Sequence, residues 1–144
     1  MNKQLLLYYI TTGIIFLMEG LMPLATALFA PQYMTLGTKP LGYPDYFAYS
    51  LIIAKVLGAI ALVWPKLSPR IKEWAYAGFT FNLIFAAISH FAVDGIKFDS
   101  FMPLIVLAIL GVSYQQYHNS NEPKVFEYQE QIEVFVQLIS FQQQ

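Results

Sequence analysis

Apolar residues fill four long stretches of this chain and leave short polar breaks between them. The stretches cover residues 5–30, 46–64, 74–93 and 101–117. About 20 residues at 1.5 Å each cross a hydrocarbon core of roughly 30 Å. Each stretch therefore reads as a membrane-spanning helix, the fourth near the lower limit of length. The breaks carry helix stop and start signals. Pro31 ends the first stretch, and Gly42-Tyr43-Pro44-Asp45 opens the second with an acid at its N-terminus. Pro65 stops the second, and Ser68-Pro69 reads as N-cap plus first-turn proline of the third. Gly95 ends the third, and Asp99-Ser100 caps the fourth. The first stretch is long enough to tilt, or to kink at Pro23. The expected fold is all-α: a polytopic four-transmembrane-helix bundle over residues 1–118, then a short C-terminal amphipathic tail over residues 119–144.

The two ends need separate readings. The first 16 residues superficially resemble a signal peptide. No A-x-A-like cleavage site follows, and the apolar run continues past Glu19 to Ala30, so a retained first span is expected. After His118 the pattern changes. Asn119 to Pro123 form a polar break. Beyond it Val125, Tyr128, Ile132, Phe135 and Ile139 recur at three- or four-residue spacing, which predicts an amphipathic helix. The alternation of Val134, Val136 and Leu138 leaves a strand as the alternative. Glu127, Glu130 and Glu133 make this segment a poor ligand for anionic lipid. It is expected to pack on the cytoplasmic end of its own bundle or on a partner.

Composition narrows the class. Hydrophobic residues make up 57% of the 144 residues and charged residues only 12%, against about 25% charged in soluble domains. The net charge is -1, which leaves no basic surface for nucleic acid. There is no cysteine, so disulfide chemistry, thiolate-bound zinc and iron–sulfur clusters are excluded. His90 and His118 fall on opposite sides of the expected topology, so no metal or haem site is expected. Loop charge gives orientation. The connection after the second stretch holds Lys66, Arg70 and Lys72 against Glu73, whereas the other two pair Lys39 with Asp45, and Lys97 with Asp94 and Asp99. With Lys3 and Lys124 on the basic side, the positive-inside rule places both termini in the cytoplasm. Tyr43, Tyr46, Trp64 and Trp74 sit near stretch ends, as interfacial aromatics do.

Polar residues inside the stretches are the candidate chemistry. Lys55 lies near the middle of the second, where an ammonium costs at least ~2.5–3.5 kcal/mol. It needs a carboxylate, a water-filled pocket or a lost proton. Thr12, Glu19 and Thr26 are seven apart, on one helix face. Asn82 and Ser89 are also seven apart, with His90 adjacent. Ala54, Gly58 and Ala61 form a small-residue stripe beside Lys55, which permits close helix approach. Antiparallel packing brings Glu19, Lys55 and His90 within reach of one internal pocket, to which Asn82 and Ser89 are added as candidates. Plainer readings stand beside this one. Glu19 and Lys55 can form an ion pair that only fixes helix register. His90 can bond a carbonyl, the threonines can bond back to their own helix, and Asp45, Asp94 and Asp99 read as caps and loop charges.

The block Gly42-Tyr43-Pro44-Asp45-Tyr46-Phe47, followed by Ala54-Lys55-Val56-Leu57-Gly58-Ala59-Ile60-Ala61-Leu62, resembles the DoxX-like family of small bacterial membrane proteins. The resemblance continues through Glu73-Trp74-Ala75-Tyr76-Ala77-Gly78 and Ala87-Ile88-Ser89-His90. It fits the first stretch more loosely, at Thr12-Gly13 and Glu19-Gly20, and does not cover the tail. It implies a four-helix bundle in a bacterial inner membrane. It also implies association with quinone or redox complexes, because the family takes its name from a subunit linked to thiosulfate:quinone oxidation. Two functions follow. One is an accessory subunit of a larger membrane complex, respiratory or redox, which docks laterally and through its tail, or self-associates. The other is a small-molecule site, with quinone as the natural ligand. There Lys55 and His90 donate to carbonyl oxygens and Glu19 shuttles a proton. No catalytic motif and no redox centre of the chain's own is expected in either case.

Overall fold

A computed structural model describes residues 3–142, without the side chains of residues 121–130 and 142. Four helices are long and apolar enough to cross a membrane. Helix α1 is Lys3–Phe29, α2 is Asp45–Val63, α3 is Pro69–Val93, and α4 is Phe98–Gln142, of which Phe98–Ser120 is the apolar span. They run up and down in a ring. Helix α1 packs on α2 and α4, and α3 packs on α2 and α4. Large apolar side chains such as Leu57, Trp74, Phe85 and Ile105 stay exposed on the outside. That is the surface a bundle offers to lipid tails, which are as apolar as leucine. The core is small and is built from Ile15, Leu62, Tyr76, Phe79, Leu83 and Leu110 with neighbouring small residues.

Close packing depends on two glycines. A Cβ on Gly20 would lie 2.5 Å from the Ala59 Cβ, so α1 and α2 meet there with no room for a methyl group. A Cβ on Gly58 would lie 2.9 Å from the Phe79 ring, which seats α3 against α2. Small residues that let backbones approach are the usual means of joining helices in lipid, where no hydrophobic force drives them together.

The end of the bundle that carries the basic 64–73 connection is also tied by polar groups. Ser113 Oγ lies 2.8 Å from Thr12 Oγ1 and 2.9 Å from the Tyr76 hydroxyl, linking α1, α3 and α4. Lys72 is buried and donates to the Leu62 carbonyl at 3.2 Å, with its ammonium 5.4 Å from the centre of the Tyr117 ring. Leu62 is in the last turn of α2, where carbonyls lack helical donors and a cation is favoured. Lys72, counted from sequence only as a loop charge, therefore caps α2 from α3.

Several boundaries differ from the sequence expectation. Pro23 does not simply kink α1. The helix widens into a π-helical turn, Phe16–Leu21, with the Met22 N–H bonded to the Leu17 carbonyl. Ser68 occupies the N-cap position of α3 but makes no side-chain capping bond. Helix α4 starts at Phe98, so Asp99 and Ser100 lie inside its first turn, and Ser100 donates to the Gly95 carbonyl instead. The expected break at 119–123 is absent from the backbone, since α4 stays helical to Gln142. Polarity ends a membrane span, not a helix, and Asn, Ser and Glu cost a helix only a few tenths of a kcal/mol each, up to ~0.7; Pro123, at about 3 kcal/mol, is the residue of this segment whose place in α4 helix propensity does not explain. The tail is thus a helix, not the alternative strand. Nor does it fold back on its own bundle over residues 131–141. Ile132, Phe135, Leu138 and Phe141 there are all exposed.

Candidate functional site

The site begins with the π-turn. Pro23 has no amide proton, so an α-helical α1 would leave the Glu19 carbonyl without its donor. Rewinding to a wider turn absorbs that mismatch, and such turns recur where helices do chemistry. Here it turns both Glu19 and Gly20 inward, and both are buried. Gly20 lets α2 come close, and the Glu19 carboxylate then meets the Lys55 ammonium at 2.8 Å. An ammonium has three N–H donors, so its contact with Glu19 leaves N–H groups for other acceptors. The two side chains retain 10% and 21% of their exposure. An ammonium in mid-span thus has its carboxylate, which answers the cost raised by the sequence.

The pair lies in the wall of a cavity of about 540 Å³ in the half of the bundle opposite the basic connection. All four helices contribute, and the 31–43 loop covers the end. That loop is held in two 3-10 turns, Pro31–Tyr33 and Lys39–Leu41, and reverses at Gly42, whose φ of 88° only glycine adopts without strain. It supplies Tyr33, Met34 and Tyr43 to the lining. Met18, Met22 and Met102 add flexible apolar wall.

The five sequence candidates are distributed as follows. Glu19, Lys55, Asn82 and His90 all line the cavity. Ser89 does not. Its hydroxyl lies 2.7 Å from that of Tyr43, and so it positions a residue that does. His90 Nδ1 donates to Asp94 Oδ2 at 2.6 Å, which leaves Nε2 as the nitrogen available to the cavity. The Asn82 amide has no hydrogen-bond partner among the described residues. Asp45 pairs with Lys39 at 3.1 Å at the surface. Of the threonines, Thr26 bonds back to Met22, whereas Thr12 bonds across to Ser113.

Sequence reading missed Tyr43 and Asp99 as lining residues. Tyr43 stands in the block that carries the family resemblance but was assigned to the membrane interface, and Asp99 was assigned as a cap. The His90–Asp94 contact was within reach, because residues four apart share a helix face.

A model of the DoxX-like family matches residues 8–113, most of the chain and every helix of the bundle. The chain belongs to the DoxX-like family. Comparison with curated proteins and with solved structures gave no match. The DoxX-like region holds the π-turn, the ion pair and the whole cavity lining, from Met18 to Val106. The projecting end of α4 lies beyond it. A small multi-pass membrane protein is what the family and the apolar helices together establish.

Proposed function

We propose that this DoxX-like protein binds a small amphipathic molecule between its helices, and that a quinone headgroup is the chemistry the cavity suits best. One observation carries this reading: a 540 Å³ cavity whose apolar wall is interrupted by the Glu19–Lys55 pair, Asn82 and His90. Ligand pockets run to about 300–1,000 Å³, mostly apolar, with a few convergent polar groups. Quinone carbonyls accept hydrogen bonds, and Lys55 and the Asn82 amide are donors; His90 Nε2, with the ring proton on Nδ1, is an acceptor for the hydroxyl of the reduced headgroup. Glu19 can take up or return a proton. Electrons would come from a partner protein. We place the chain in the bacterial inner membrane with both termini cytoplasmic, on the strength of the basic 64–73 connection.

A second reading, an accessory subunit of a larger membrane complex, is supported by a different feature. The end of α4 presents Ile132, Phe135, Leu138 and Phe141 without cover from its own bundle. The test is purification in mild detergent, with mass spectrometry of what accompanies the protein. The ligand reading expects a quinone-class molecule near one per chain, lost from an Asn82→Leu variant. A stoichiometric protein partner with no small molecule would favour the subunit reading and overturn the first.

A further inference from the structure

A second hollow, of about 370 Å³, lies on the α2–α3 face of the bundle. Its floor is made of small residues, Ala54, Gly58, Ala61 and Gly78, and Trp74 and Ile71 stand at one end. From Lys55 to Ala61 the groove follows α2 for about 9 Å, from mid-span toward the basic connection. Lys55, Asn82 and Leu51 line this groove and the interior cavity alike. The two spaces are therefore separated by a partition of three side chains, two of them polar.

We infer that the α2–α3 groove is the lateral route from the bilayer to the cavity and the seat of the ligand's hydrocarbon tail, so that the ligand is a tailed amphiphile. This rests on the binding function proposed above. The occupant follows from the order of chemistry along the groove. Apolar floor runs up to two polar side chains that also face the cavity, which suits a molecule with a hydrocarbon tail and a hydrogen-bonding head. A neighbouring apolar helix would fill the floor but leave the Asn82 amide without a partner. A plain acyl chain would do the same. The ligand thus need never leave the membrane to bind.

The test uses two probes on the full chain in mild detergent: 2,3-dimethoxy-5-methyl-1,4-benzoquinone and its 6-decyl derivative, by equilibrium dialysis. Gly78→Phe and, separately, Ala54→Phe fill the groove. Both positions are exposed, and a Cβ on Gly78 meets no atom within 4 Å, so neither change strains the bundle. Each variant is expected to weaken the decyl probe about tenfold, the worth of roughly two buried methylenes, and to leave the headgroup probe unchanged. Three results would overturn the inference. One is that both probes are unaffected by both variants, and another is that both are weakened equally. Alternatively, assembly size changes while binding does not, which would make the groove a contact between copies. Wild-type protein that binds neither probe removes the binding function itself, a failure distinct from these.

Discussion

Gly20→Ala tests how the bundle brings its ion pair together. The added Cβ would stand 2.5 Å from the Ala59 Cβ. Carbon atoms pack best at 3.5–4.0 Å, so α1 and α2 must separate by roughly 1–1.5 Å. Overpacking of this kind costs about 1–3 kcal/mol. Alanine returns about 0.5–1 kcal/mol through its better helix propensity. A net loss of ~1–2 kcal/mol is expected. Ala59→Gly alone loses a comparable amount, through a less favourable helix residue and a lost methyl contact. The double variant moves one methyl across the gap, so the helix-propensity changes cancel and the clash is relieved; it should lie near wild type, giving a coupling of about 2–3 kcal/mol. Unfolding of the detergent-solubilised protein by titration with a denaturing detergent, followed by circular dichroism, measures all four corners of the cycle. Strict additivity, or Gly20→Ala at full stability, would refute the close approach of α1 to α2. With it would go the reason that Glu19 reaches Lys55.

Three further outcomes are expected. Lys55→Met should destabilise the bundle more than Lys55→Met combined with Glu19→Leu. Lys55→Met strands the Glu19 carboxylate, which keeps only 10% of its side-chain exposure, and stranding one charge of a buried pair costs about 3–5 kcal/mol; additive effects in the same unfolding assay would mean no coupling. Truncation after Asn119 should leave the bundle folded by circular dichroism but reduce assembly size in detergent, because the apolar 131–141 surface is removed; unchanged size would show that the tail docks nothing. Cysteines at Lys39 and Lys97 should react with an impermeant thiol reagent from outside the cell and one at Arg70 should not, and external labelling of Arg70 would reverse the proposed orientation.

Much of this architecture was legible because membrane burial writes itself into long apolar runs. The four spans, the helix starts at Asp45 and Pro69 and the resemblance to DoxX-like proteins all follow from sequence. Polar residues at seven-residue spacing pointed to Glu19, and cost pointed to Lys55. Three features were not legible. The π-turn depends on how α1 resolves Pro23 against packing on Ala59, and the sequence offers a kink as readily. The cover formed by Tyr33, Met34 and Tyr43 depends on the path of the 31–43 loop, which no periodicity fixes. Lys72 looked like a loop charge because its partner, the Leu62 carbonyl, is a backbone group with no sequence signature.

The two halves of the bundle solve opposite problems, and this division explains how so small a protein can hold a cavity. Near the basic connection, Ser113 joins Thr12 and Tyr76, and Lys72 ties α3 to the end of α2. Interhelical hydrogen bonds in lipid average only about 0.6 kcal/mol, but these link all four helices at one level. The other half gives up packing to the cavity and carries its costliest group, the Lys55 ammonium, at the boundary between the halves. There the Glu19 carboxylate offsets the charge, and Gly20 and Gly58 keep α2 tight against α1 and α3. The ion pair therefore stands where the closed half of the bundle meets the hollow half. A group placed there can turn toward a ligand without loosening the hydrogen bonds that hold the helices together.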